Sequence, residues 1–140
     1  MDSLRIDAGV IRIAVNDDPN RVISFNPEDV LFAEKFYNLL QEFQEKQKEY
    51  EIRLNEIKAA EVLDETGIPK NLSDTLTVVE EICDFMRNKI DEVFGAGTSN
   101  VAFGEAKSLT MIEQFFQGIV PFIQAGRAQK LSKYERKKSS

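Results

Sequence analysis

No histidine occurs among the 140 residues, and cysteine occurs once, at Cys83. The first absence removes the Ser-His-Asp and Cys-His nucleophile pairs and the Glu-x-x-His ligands of carboxylate-bridged di-metal bundles. The second excludes an intrachain disulfide framework and suits a reducing, cytoplasmic compartment. No apolar run approaches the roughly 20 residues of a membrane span. Met1-Asp2-Ser3-Leu4-Arg5 lacks the basic-then-apolar plan of a signal peptide. EF-hand spacing is missing. The glycine-rich stretch 95–104 lacks the Gly-Lys-Ser/Thr of a Walker loop and follows a helical pattern, not a strand, so it reads as a helix cap and flexible linker. Carboxylate pairs such as Glu80/Asp84 fall on an acidic helix face and read as solvated charge. The expectation is a protein without catalytic residues, cofactor or metal, and not an enzyme.

Positive charge is also scarce, except at one end. Arg127, Lys130, Lys133, Arg136, Lys137 and Lys138 face only Glu135 in the last fourteen residues, while the whole chain carries a net charge of −6. The body is therefore strongly acidic. It repels nucleic acid and anionic membrane, so neither sequence-specific nucleic-acid binding nor membrane association is expected. Residues 134–140 form a basic tail, which reads as a cationic helix end that complements the dipole and then frays.

What is present is periodicity. Leu4, Ile6 and Ala8 alternate with Arg5 and Asp7; Ile11, Ile13 and Val15 alternate with Arg12 and Ala14. The parity changes near Gly9, which predicts a bulge or turn there. Asn16-Asp17-Asp18-Pro19-Asn20 is a turn cluster, and residues 21–25 return as a strand. The region 4–25 therefore reads as strands, with residues 10–15 and 21–25 forming a β-hairpin. Two strands are marginal in water, so the hairpin must pack on helices, gain a third strand from residues 3–8, or pair with another chain.

A long amphipathic helix is predicted over 26–64. Asn26 can cap it, Pro27 suits the first helical position, and Glu28 and Asp29 place negative charge at its positive end. Phe36, Phe43, Tyr50 and Ile57 recur every seven residues, with Leu40 and Leu54 four after the first and third. That is a seam for packing helix on helix. Gly67 and Pro69 mark its end. A second helix over 73–94 carries Leu76, Val79, Cys83, Met86, Ile90 and Val93 on one stripe; Cys83 reads there as a small buried hydrophobe. Val101 and Phe103 are apolar exceptions in the loop and read as anchors on the core or on a partner. A third helix over 105–133 has Leu109, Ile112, Phe116 and Ile123 on its stripe, with a kink expected near Pro121.

The fold class read from these patterns is mainly α: an N-terminal β-hairpin or small sheet packed on three long helices. It forms a single elongated domain over 1–133. The first helix, at about 55 Å, is longer than the diameter of about 40 Å of a compact domain this size. Its overhang, with the marginal hairpin, predicts self-association, most simply a homo-oligomer. Candidate interaction residues are Phe36, Phe43, Tyr50, Ile57, Val101 and Phe103.

Several segments together carry a resemblance. They are the hairpin leading into Phe25-Asn26-Pro27-Glu28-Asp29; Phe32-Ala33-Glu34-Lys35-Phe36-Tyr37; Ile82-Cys83-Asp84; Ile90-Asp91-Glu92-Val93-Phe94-Gly95-Ala96-Gly97-Thr98-Ser99; and Gln114-Phe115-Phe116. The chain resembles small proteins from phages and prophages of Gram-positive bacteria that are associated with tail genes, in particular tail-assembly chaperones. The resemblance implies a non-enzymatic role in tail morphogenesis: coating the tape-measure protein and recruiting tail-tube subunits, without cofactor, in the host cytoplasm. The alternative it leaves open is a structural subunit of the virion tail or connector. In such chaperones a ribosomal frameshift often appends a second domain, and Lys137-Lys138 is compatible with an A-rich slippery run. No site residues carry over.

Overall fold

The computed structural model describes the backbone of residues 1–138 and the side chains as far as Gly126. It is mainly helical, with an N-terminal antiparallel hairpin packed on long helices. Strand β1 (Ile11–Val15) pairs with β2 (Asp18–Phe25) from Ile11 opposite Phe25 to Ala14 opposite Val22, and the register then shifts before Val15. Asn16 and Asp17 form the turn with φ of 52° and 60°. Positive φ at both central residues matches the right-handed twist of the strands, and Asn and Asp tolerate it better than other side chains. Ile23 and Phe25 are buried on the inner face, with Ile11, Ile13 and Val15 packed beside them.

Helix α1 spans Val30–Ala59, about 45 Å for its 30 residues. This corrects both ends of the predicted 26–64 helix. At the start, the Asn26 side chain accepts from Glu28 N–H at 3.0 Å and closes a turn, while Asp29 is the cap, accepting from Leu31 N–H at 2.9 Å. Pro27 is fully buried before the helix begins. At the other end α1 stops at Ala60. Residues 61–70 form an ordered loop with a bridge between Leu63 and Pro69. Asp64 organises it: one carboxylate oxygen accepts from Thr66 N–H, Thr66 Oγ1 and Ile68 N–H at 2.6–3.0 Å. These bonds favour the charged form and hold the Asp64 pKa below its ordinary value.

Helix α2 (Leu72–Phe94) returns along α1. The Asn71 side chain does not cap α2. It donates instead to Ile57 O at 2.8 Å, satisfying one of the last carbonyls of α1. The residues predicted as a flexible loop contain a one-turn helix, α3 (Thr98–Phe103), and the third long helix begins only at Leu109. This helix, α4 (Leu109–Lys138), is capped by the Ser108 hydroxyl, which accepts from Met111 N–H at 3.3 Å. It runs on through Pro121, where a kink was expected; the prolyl residue lies on the exposed side. The basic side chains of 127–138 and the last two residues, with the tail and frameshift expectations attached to them, lie outside what is described.

The core lies where the four layers meet. Phe94, at the end of α2, has its ring 5.3–5.9 Å from those of Phe25, Phe32, Phe36 and Phe115, each edge-on at 78–86°. Phe116 adds contacts to Phe36 and Phe43. Four elements, β2, α1, α2 and α4, thus converge on one aromatic cluster, which fixes their relative positions. α4 also approaches the start of α1 very closely, since a Cβ on Gly126 would sit 2.5 Å from Pro27 Cγ.

Candidate interaction surfaces

The six residues picked as interaction candidates serve the interior. Phe36, Tyr50 and Phe103 are buried; Phe43, Ile57 and Val101 are partly buried and packed on the core. The structure brings Phe36 and Phe43 together against Phe116, and Phe103 against Phe115 at 5.7 Å. Tyr50 and Ile57 stay on the α1 seam. On α2 the predicted stripe is partly corrected: Leu76 is 58% exposed, whereas Val78 and Ile82 are buried.

α3 is fastened at both ends. Asp91 on α2 accepts from Ser99 N–H at 2.8 Å and from Ser99 Oγ at 3.0 Å, placing a carboxylate at the start of α3. Arg21, on the inner face of β2, donates to Val101 O and Ala102 O, both at 3.0 Å. Arg87 donates to Asn100 Oδ1, Gly104 O and Ala106 O at 2.8–2.9 Å. Two guanidinium groups thus take the carbonyls that the short helix leaves open at its end. These bonds tie α3 to β2 and α2, so the arrangement serves to position α3.

Several carboxylates are paired in the same way. Lys107 bridges Glu80 at 2.7 Å and Asp84 at 3.1 Å, and those hydrogen bonds raise its pKa. Lys89 joins Glu42 and Glu92, and Arg53 joins Glu81. Among the described residues no group of three or more Asp, Glu, His or Cys side chains is placed to hold a metal. Cys83 is completely buried, and burial pushes its thiol pKa up, so it is a poor nucleophile while the fold is closed.

What the surface offers is apolar. Among the described side chains α4 meets this layer from Gly126, beside Pro27, back to Leu109, which lines a cavity with Tyr50 and Leu54. Beyond that the ends of α1 and α2 project as a two-helix tip. Its loop carries Val62, Leu63 and Ile68, and Leu72 and Leu76 follow on α2, all exposed. A second apolar site lies between α1 and α4, a cavity of about 490 Å³ lined by Val30, Ala33, Phe36, Tyr37, Leu40 and Ile123. A third lies between the hairpin and α4, about 400 Å³, with Ile13, Ile23, Phe103, Phe115, Ile119 and Phe122 on its walls. Sequence reasoning picked single residues of the two cavities, Phe36 and Phe103, but neither the cavities nor the tip as a surface. Val62, Leu63 and Ile68 of the tip lie in a loop, and Leu76 stands on a stripe that runs past the end of its neighbour. No helix among the described residues is long and apolar enough to cross a membrane.

The pattern of a family of unknown function (DUF6673) matches residues 20–140, and the chain belongs to that family. No curated protein and no solved structure matches it.

Proposed function

We propose that this chain is a non-enzymatic phage tail morphogenesis factor. In this reading it is a tail-assembly chaperone that shields apolar segments of the tape-measure protein in the host cytoplasm and brings tail-tube subunits to them. The resemblance noted in the sequence is the source of the reading. The observation that supports it most is the two-helix tip. Five exposed aliphatic side chains crowd one end of an acidic molecule, on a loop that Asp64 holds in shape. Contiguous exposed apolar surface on an otherwise charged protein marks a site for another protein. A preformed loop lowers the ordering cost of using it.

Co-expression with a tape-measure protein from the same phage genome tests this. The wild-type chain should hold the tape-measure protein in the soluble fraction and be recovered with it. Leu63→Asp together with Leu76→Asp should abolish recovery while changing thermal stability little, because both positions are exposed. Recovery unaffected by the double substitution would remove the tip from the account. No recovery with the wild-type chain would remove the chaperone reading.

A further inference from the structure

Residues 1–9 have the alternation of a strand but lie in no strand. Leu4 is 84% and Ile6 79% exposed. Among the described residues, the arm is hydrogen-bonded to the body only at its base, where Asn26 Nδ2 donates to Ala8 O. Asn26 follows β2, so this contact sets the base of the arm against the segment that joins β2 to α1. The base is shaped to hold that contact. Gly9 has φ +72°, its N–H donates to Asp7 Oδ1 at 2.9 Å, and a Cβ there would lie 2.6 Å from Glu28 Oε2. Among the described residues the sheet has two strands, and the outer edge of β1 carries no partner strand. That edge borders the apolar cavity between the hairpin and α4.

We propose that the arm of one copy docks on the β1 edge of a second copy, and that two copies exchange arms reciprocally. Residues 3–8 then add a third strand beside β1. Leu4 and Ile6, two residues apart and on one face, enter the groove against Ile13, Ile119 and Phe122, while Arg5 and Asp7 face solvent beside Arg12. Gly118 keeps the groove open, since a side chain built there meets nothing within 4 Å of its Cβ. The area is adequate. An extended segment of six residues exposes on the order of 950 Å², using about 1.45 Å² per dalton for an unfolded chain. If half is buried against an equal area of groove, two arms bury roughly 1,900 Å², near the upper end of a standard stable interface. The exchange supplies the third strand that the hairpin lacks, and it stands independently of the tape-measure reading.

Sedimentation of the full-length chain tests the exchange. Wild type should be a dimer. Leu4→Asp with Ile6→Asp should raise its dissociation constant by about 100-fold or more, the loss expected when two buried aliphatic side chains become carboxylates. Gly118→Leu should have the same effect by filling the groove, with an unchanged or higher melting temperature, which shows that the fold is intact. The two variants mixed should associate with each other, because one retains its groove and the other its arm. A monomeric wild type overturns the proposal, as does a dimer that survives both variants. So does a monomer destabilised by the arm substitutions, which would place the arm in its own groove.

Discussion

Replacing Phe94 tests the packing account most severely, because one ring at the end of α2 touches Phe25, Phe32, Phe36 and Phe115 at 5.3–5.9 Å. Edge-to-face pairs contribute about 0.5–1.5 kcal/mol each beyond burial. Four pairs that share one ring are not additive, and Phe94 is only partly buried. Phe94→Leu retains most of the apolar volume and should therefore lose about 2 kcal/mol. Phe94→Ala also leaves a void between α2, the hairpin and α4, and should lose about 3–4 kcal/mol. For a chain of this size the melting temperature moves by roughly 2–4 °C per kcal/mol, so a drop near 10 °C is expected for alanine. Urea titration followed by far-ultraviolet circular dichroism measures it. A loss under about 1 kcal/mol for Phe94→Ala would refute the idea that this ring joins the elements.

The close approach of α4 to α1 makes a sharper forecast. Gly126→Ala should destabilise by about 1–3 kcal/mol, because the new methyl meets the buried Pro27 ring, whereas alanine in an open helix stabilises; a rise in melting temperature would contradict the contact. Cys83 should react with a thiol reagent at neutral pH only as fast as the fold opens, accelerating steeply in urea. Its pKa is raised on folding, so its contribution to stability is complete below the ordinary thiol range, about 8.5, and is lost as pH rises through the folded value; rapid labelling of the native protein would show that the core is not closed. Asp64 titrates in the opposite sense. Its folded pKa is lowered, so the order of loop 61–70 should be complete above about pH 4 and lost as pH falls through the folded value. Amide exchange at Ile68 should follow this, and Asp64→Asn should show faster exchange throughout.

Some of this architecture was legible in the sequence for clear physical reasons. The hairpin follows from alternation and from Asn16-Asp17, which tolerate the turn that two strands need. The α1 seam follows from the recurrence of Phe36, Phe43 and Tyr50. The errors have causes as definite. Asn26-Pro27 carries the residues of a helix start, yet the Asn26 side chain bonds Glu28 N–H two residues on, and Asp29 competes successfully for the cap. The stretch 95–104 looks like a linker because glycines bracket it. Its helical turn is held by Arg21, about 80 residues away in sequence, and by Arg87 and Asp91 on α2, and no local pattern signals such contacts. Periodicity finds residues that face a neighbour. It therefore selected the core, Phe36 to Ile57, as interaction candidates, and passed over Leu63, Ile68 and Tyr37, which the chain leaves uncovered.

Quantitative mass spectrometry of one infected culture, comparing the cell lysate with purified virions, tests the assembly role most directly. The account predicts a chain abundant in the lysate during tail formation and absent from finished particles that still contain tape-measure and tail-tube proteins. Recovery of the chain from those virions in a fixed ratio to the tail-tube subunit would contradict it, and would make the protein a structural part of the tail.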